Sequence, residues 1–147
     1  MQGTWLFLHL LGAITWLGGM FFVLYCLRPA LPVLEPPMRA PLMVSALGRF
    51  FNYVSIAVVI IWLSGFMLLA PVGLKNAPSG WQIMMGAAAI MTILFVVIRL
   101  MLFPSVRRAV NEGELPRAAS GLNAIRWLVV LNLLLGLVAV AGVSLLR

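Results

Sequence analysis

The sequence predicts an all-α integral membrane protein, a four-helix bundle with both termini on the outer side of the membrane. Three observations predict this fold. Hydrophobic residues make up 64% of the 147 positions and charged residues only 9%, whereas soluble domains are about half apolar and about a quarter charged. The apolar residues are concentrated in four long runs. The arginines are concentrated in two of the connections between those runs. We expect a single transmembrane domain covering residues 1–147.

The four apolar runs span residues 4–27, 50–70, 81–103 and 123–146. Each is long enough to cross a hydrocarbon core, which takes about 20 helical residues. The first run has no basic segment before it and no small-residue cleavage site. We therefore expect it to be a membrane helix and not a signal peptide.

The connections carry different patterns. Residues 28–41, "RPALPVLEPPMRAP", include five prolines, which predicts an irregular loop. Residues 104–121 mix charges of both signs and predict short helical turns. Pro116 favours an early start of the fourth helix, because proline is well tolerated in the first helical turn. We find no internal repeat in the sequence.

Arginine placement predicts the orientation. The second connection has a single lysine, Lys75, and the C-terminus has only Arg147. The other basic residues belong to the first connection and to the third with its flanks: Arg28, Arg39 and Arg49, then Arg99, Arg107, Arg108, Arg117 and Arg126. Because basic loops stay in the cytoplasm, these two connections are predicted to be cytoplasmic. Anionic lipid head groups are the partners expected there.

Several function classes are disfavoured. The net charge of +7 comes from arginines between apolar runs, with no basic stripe of the kind that binds nucleic acid. A lone cysteine, Cys26, cannot form an internal disulfide or a thiolate metal cluster. No Ser-His-Asp set, carboxylate pair or phosphate loop can be assembled, and all three acidic residues belong to the cytoplasmic connections: Glu35, Glu112 and Glu114. This pattern does not favour an enzyme.

The first apolar run contains the chain's only histidine, His9. At helical spacing, His9 shares one face with Gly12, Trp16 and Gly19. Glycines on such a face allow another helix to approach closely. A histidine in the membrane needs a polar partner, so His9 is predicted to point into the bundle. It is either hydrogen-bonded to a neighbouring helix or a ligand of a metal or haem.

Methionines lie at the predicted depth of His9. The second run ends outside and the third begins there, which places Met67, Met84 and Met85 near His9. Thioethers and imidazole suit Cu(I), and imidazole also binds haem iron, with Met84 or Met85 as a second haem contact. Methionine also fills gaps in apolar packing. Both interpretations stay open. Asn52, Ser55 and Asn132 are expected to make interhelical hydrogen bonds.

Five segments carry a resemblance to a known family: "HLLGAITWLGGMFFVLYCLRPAL", "GRFFNYVSIAVVIIWLSG", "QIMMGAAAIMTILF", "FPSVRRAV" and "IRWLVVLNLLLGL". In this order, the chain resembles the small four-helix branch of the copper resistance protein D (CopD) family. The resemblance implies a multi-pass protein of the bacterial inner membrane that handles copper. The same superfamily includes HemJ-type protoporphyrinogen oxidases, which use a histidine in the first span to hold haem b.

Two positions depart from these relatives. Many small relatives have a second histidine near the start of the third span, where this sequence has Gln82. HemJ-type enzymes have a lysine near there, where this chain has Met84 or Met85. The first departure excludes bis-histidine haem ligation within one chain.

Three hypotheses follow. The protein binds or conducts copper through His9, Met67, Met84 and Met85. Alternatively, it holds haem b with His9 as an axial ligand. Alternatively, it is an accessory packing subunit of a larger membrane complex. The expected partners are the lipid bilayer together with a second copy of the chain or a periplasmic copper protein.

Overall fold

The computed structural model describes residues 1–146 and consists of four long helices. They are α1 (Gln2–Val33), α2 (Pro36–Leu69), α3 (Ser79–Asn111) and α4 (Leu115–Leu145), and each is long and apolar enough to cross a membrane. The predicted all-α, four-span architecture is therefore confirmed. Because there are four antiparallel spans, both ends of the described chain lie at the same end of the bundle. Arg147 lies outside the described residues.

The helices are longer than predicted at the arginine-rich end. The prediction of an irregular loop over residues 28–41 is wrong for most of that segment, since only Leu34 and Glu35 separate α1 from α2. Pro36 and Pro37 form the start of α2. Backbone N–H groups in the first turn have no carbonyl partner within the helix, so proline costs no helical hydrogen bond there. At the other connection, α4 begins at Leu115 with Pro116 as its second residue, which agrees with the predicted early start.

Two π-helical segments interrupt the membrane helices near this end. Val23–Leu27 lies in α1 and Ile98–Leu102 lies in α3. Each is followed, after one residue, by a proline: Pro29 or Pro104. A proline removes the hydrogen bond to the carbonyl four residues earlier and crowds that carbonyl. Since that carbonyl lies inside the π segment in both cases, the wider turn accommodates the proline ring without ending the helix.

The four helices form two antiparallel hairpins, because α1 packs along α2 and α3 packs along α4. The hairpins meet most closely towards the arginine-rich end, through aromatic side chains. Phe51 of α2 makes edge-to-face contacts with Phe95 and Phe103 of α3, with ring centroids 5.8 Å and 5.2 Å apart. Trp16 of α1 contacts Phe95 at 6.1 Å. The outer surface is covered by exposed apolar side chains such as Phe7 and Ile14, as a lipid-facing surface requires.

Polar residues in the spans behave mostly as predicted. The Asn132 amide Nδ2 donates to the Met91 carbonyl of α3 at 3.3 Å. Asn52 accepts a hydrogen bond from Arg99 at 3.1 Å. Both bonds join different helices, as expected. The expectation for Ser55 is wrong, because its hydroxyl donates to the carbonyl of Phe51 one turn earlier in the same helix.

Candidate functional site

The face of α1 that carries His9 packs against α2. Gly12 and Trp16 are buried. A methyl group on Gly12 would lie only 2.7 Å from Ile61 Cγ1 and 3.1 Å from the Ala57 carbonyl oxygen. A methyl group on Gly19 would collide with the Phe50 ring. The two glycines thus set the close approach of α1 and α2, and the predicted inward face of α1 is confirmed.

His9 is held on α2 by one of its ring nitrogens. Nδ1 lies 3.1 Å from the Ile61 carbonyl oxygen and 3.0 Å from Ser64 Oγ. The carbonyl can only accept a hydrogen bond. Ser64, which is fully buried, directs its own hydroxyl proton to carbonyls of α2, that of Ile60 among them. His9 Nδ1 must therefore carry the proton, and Nε2 carries the lone pair.

Nε2 is consequently the reactive atom of this histidine. It makes no hydrogen bond to any residue of the described range 1–146. Gly65 provides room for the ring, since a methyl group there would lie 3.3 Å from His9 Cε1. Histidines that bind metals commonly donate their second ring N–H to a carbonyl or another oxygen, which fixes the tautomer and the ring orientation. His9 has this arrangement.

His9 borders a cavity of about 310 Å³ between the two hairpins. The cavity lies at the end of the bundle opposite the arginines and receives side chains from all four helices. Its lining from α1 and α2 consists of Leu6, His9, Leu10, Ala13, Trp16 and Leu17, then Ile61, Trp62, Gly65, Phe66, Leu68 and Leu69. Its lining from α3 and α4 consists of Trp81, Met84, Met85, Ala88 and Met91, then Gly136, Ala139, Val140, Val143 and Ser144.

The cavity brings together three of the four predicted ligands. His9, Met84 and Met85 all line it. Met67 has the predicted depth on α2, but its side chain is 48% exposed and does not line the cavity. Met91 also lines the cavity, although it was not among the predicted ligands. The spacing in the sequence could have identified Met91, because it lies seven residues after Met84 and therefore on the same face of a helix.

Gln82, the position where many relatives have histidine, is exposed. Its side-chain Nε2 donates to the Ala77 carbonyl at 3.1 Å, and it does not line the cavity. The amide therefore serves the start of α3 and not the site.

One polar contact joins α2 and α3 beside the cavity. The Trp62 indole N–H donates to the Thr92 hydroxyl at 3.1 Å, and that hydroxyl donates to the Ala88 carbonyl at 2.7 Å. Trp16 and Trp81 add two further indole rings to the wall. The potential metal-binding atoms on the lining residues are therefore one imidazole nitrogen, the thioether sulfurs and the neutral hydroxyl oxygen of Ser144, in an apolar and aromatic surrounding.

This donor set is soft. Among residues 1–146, no three His, Cys, Asp or Glu side chains come together as they do in sites for harder metals. An imidazole nitrogen with thioethers matches the preferences of Cu(I). The same imidazole could serve haem iron as an axial ligand.

The family model described as "Copper resistance protein D" matches residues 44–146, which is more than two thirds of the chain. The chain belongs to the copper resistance protein D family. No curated protein and no solved structure matches it.

Membership in the copper resistance protein D family, together with the four spans, makes this a multi-pass membrane protein of a copper-resistance family. The matched region begins in α2 and continues through α4. It includes Met84, Met85 and Ser64 but not His9. The histidine is therefore supported by its geometry within this chain and not by the family match.

Proposed function

We propose that this protein binds Cu(I) as cargo in the cavity between its two hairpins, with His9 as the strongest donor and the thioether of Met84 or Met85 as a second donor. The proposal places the site near the outer surface of a bacterial inner membrane. The fixed tautomer of His9 carries the proposal, because the Ile61 carbonyl and Ser64 hold Nδ1 and leave the Nε2 lone pair available.

The aromatic contacts below the cavity favour binding over an open permeation path. Trp16 and Met91 form the deepest part of the cavity lining, and the Phe51, Phe95 and Phe103 rings fill the core beyond it. A copper ion held at His9 would need those rings to move before it could reach the arginine-rich end. We therefore propose that the protein captures copper at the outer side and exchanges it there with a periplasmic copper protein.

Haem b is a second candidate, favoured by the residues that line the cavity. At about 310 Å³ the cavity is larger than a single ion needs and reaches the lower end of the range for small-molecule sites, about 300–1,000 Å³. Its lining is apolar and rich in indole rings. In this case His9, together with Met84 or Met85, would hold the haem iron.

The arginine-rich end is proposed to contact anionic lipid head groups. Arg117 forms ion pairs with Glu114 at 2.9 Å and Glu112 at 3.7 Å. The other described arginines have no carboxylate within 4.0 Å. Arg99 and Arg107 instead lie against the Phe103 ring, which leaves their charge available to phosphate groups.

The test is a Cu(I) competition titration against a coloured chelator, with the protein in lipid nanodiscs under reducing conditions. Wild-type protein is expected to bind one Cu(I), and His9→Gln is expected to fold but lose it, because glutamine keeps a polar side chain without the imidazole donor. Met67→Leu is the matched control, since Met67 lies at the same depth outside the cavity, and it should bind as wild type does. A Soret band in the purified protein would favour haem b. Protein supplied with both copper and haem that binds neither would refute both candidates.

A further inference from the structure

The two hairpins are related by an internal structural repeat. The π segments of α1 and α3 begin 75 residues apart, at Val23 and Ile98, and have the same length. With this offset, four of the five buried residues of α1 coincide with buried residues of α3, as for Met20 with Phe95 and Val23 with Ile98. The prolines that cause the π segments coincide as well.

The second helices of the hairpins match in the same way. Phe51 of α2 and Val129 of α4 are separated by 78 residues, and both are buried. The same offset pairs the buried Val54 with the buried Asn132, and the buried Ile61 with Ala139. The repeat was missed in the sequence because most counterparts share burial and helix geometry but differ in residue type.

Helix packing within each hairpin also agrees with the repeat. In the first hairpin, Gly12 lies against the Ala57 carbonyl. In the second, Asn132 donates to the Met91 carbonyl. The counterpart of Gly12 lies one turn before Met91 in α3. The counterpart of Ala57 lies one turn after Asn132 in α4. The two hairpins therefore have the same register as well as the same helix shapes.

The cavity lies between the repeats and is lined by counterparts. All five cavity-lining residues of α3 are 75 positions after an α1 residue that also lines it, for example Trp81 after Leu6 and Ala88 after Ala13. Four of the five lining residues of α4 are 78 positions after a lining residue of α2, for example Val140 after Trp62. A cavity shared in this way lies on the approximate two-fold axis that relates the hairpins.

On this axis, the counterpart of His9 is Met84. Both line the cavity, at equal depth and from opposite hairpins. The counterpart of Met85 is Leu10, which has no donor atom. We infer that His9 and Met84 form a donor pair across the two-fold axis, so that a soft ion, Cu(I), bound between them bridges the two hairpins, while Met85 is a packing residue of the wall. This inference deepens the proposed function and depends on it for the identity of the ion.

Cu(I) suits such a pair because it accepts imidazole and thioether donors together. An ion bound to one atom from each hairpin would also stabilise the packing of the two hairpins against each other, since it binds only when both hairpins are in place. The Trp62 to Thr92 hydrogen bond is one of the few direct polar contacts between the hairpins near the cavity, so added stabilisation there should be measurable.

The first experiment tests the pairing without copper. Met84→His would place histidines at equivalent positions of the two hairpins, and Met85→His is the matched control. Zn(II) affinity in nanodiscs is measured by competition with a fluorescent zinc indicator. Met84→His is expected to bind Zn(II) at least about tenfold more tightly than wild type, because changes around a metal ligand alone alter affinity by about 10–100-fold. Adding His9→Gln to Met84→His should remove the gain. A gain in Met85→His of equal size, or a gain that survives His9→Gln, would overturn the pairing.

The second experiment measures Cu(I) affinity of Met84→Leu and Met85→Leu. Met84→Leu is expected to lose at least about tenfold, and Met85→Leu should remain close to wild type. Wild-type protein that binds no Cu(I), together with a His9-dependent zinc gain in Met84→His, would reject the proposed function and keep the donor pair. If wild-type protein binds Cu(I) and Met84→Leu binds it equally well, the donor pair would be rejected and the proposed function kept.

Discussion

Replacing Gly12 by leucine tests directly how α1 packs on α2. A first side-chain carbon at this position lies 2.7 Å from Ile61 Cγ1 and 3.1 Å from the Ala57 carbonyl oxygen, whereas carbon atoms in contact normally lie about 3.5–4.0 Å apart. The Ile61 side chain can rotate, but the Ala57 carbonyl belongs to the backbone of α2. The remaining atoms of leucine can be accommodated only if the helices separate. Overpacking of this kind typically costs about 1–3 kcal/mol.

Gly18 is the matched control on the same helix. A side-chain carbon there meets no atom within 4 Å, so leucine at this position would point to lipid. Leucine favours a helix over glycine by up to about 1 kcal/mol, and Gly18→Leu is therefore expected to be as stable as wild type or more stable. Gly12→Leu should be less stable by about 1–3 kcal/mol.

The assay is equilibrium unfolding by sodium dodecyl sulfate added to protein in a mild detergent, followed by circular dichroism. The free energy of unfolding is compared between the two variants and wild type. Equal stability of Gly12→Leu and Gly18→Leu would mean that both glycines face lipid. The packing of α1 described above, and with it the position of His9, would then be wrong.

Three further predictions concern other parts of the molecule. A reporter that fluoresces only in the cytoplasm, fused to the C-terminus, should stay dark if both termini are outside; bright cells would reverse the orientation. Ser64→Ala should weaken Cu(I) binding by about 10–100-fold, because Ser64 helps to fix the His9 tautomer. Ser55→Ala should leave the Cu(I) affinity unchanged, because the Ser55 hydroxyl bonds only within its own helix. Equal losses in the two variants would refute a positioning role for Ser64. Asn132→Val should keep or raise the free energy of unfolding. It gives up one interhelical hydrogen bond, worth about 0.6 kcal/mol, but it also removes a buried Oδ1 atom that has no partner among the described residues. A loss above about 2 kcal/mol would show that this oxygen is satisfied.

Much of the fold could be predicted from the sequence, because length and apolarity alone define the spans. The direction of the spans, which follows from the arginines, stays a prediction. The extent of the helices could not be predicted. Pro36 and Pro37 indicate a break only until their position in the first turn of α2 is known. The π segments likewise depend on how Pro29 and Pro104 are accommodated and not on the composition of Val23–Leu27 or Ile98–Leu102.

The sequence predicts how deep in the membrane the candidate site residues lie, but not how each helix is rotated about its axis. His9, Met84 and Met85 were placed at one level correctly, since counting residues from the membrane boundary fixes depth. Whether Met67 faces the cavity depends on how α2 is rotated about its axis, which is set by contacts such as that of Gly65 with the His9 ring. The pairing of His9 with Met84 needed the backbone, because a histidine and a methionine share no sequence signal.

The indole rings around the cavity give the protein an optical reporter of its own. Three of its five tryptophans, Trp16, Trp62 and Trp81, line the cavity, and Trp62 also joins the hairpins through its hydrogen bond to Thr92. Emission from these rings responds to the polarity and to the quenching ions around them. Events inside the cavity, from water entry to the parting of the hairpins, can thus be followed in unlabelled protein by its ultraviolet fluorescence.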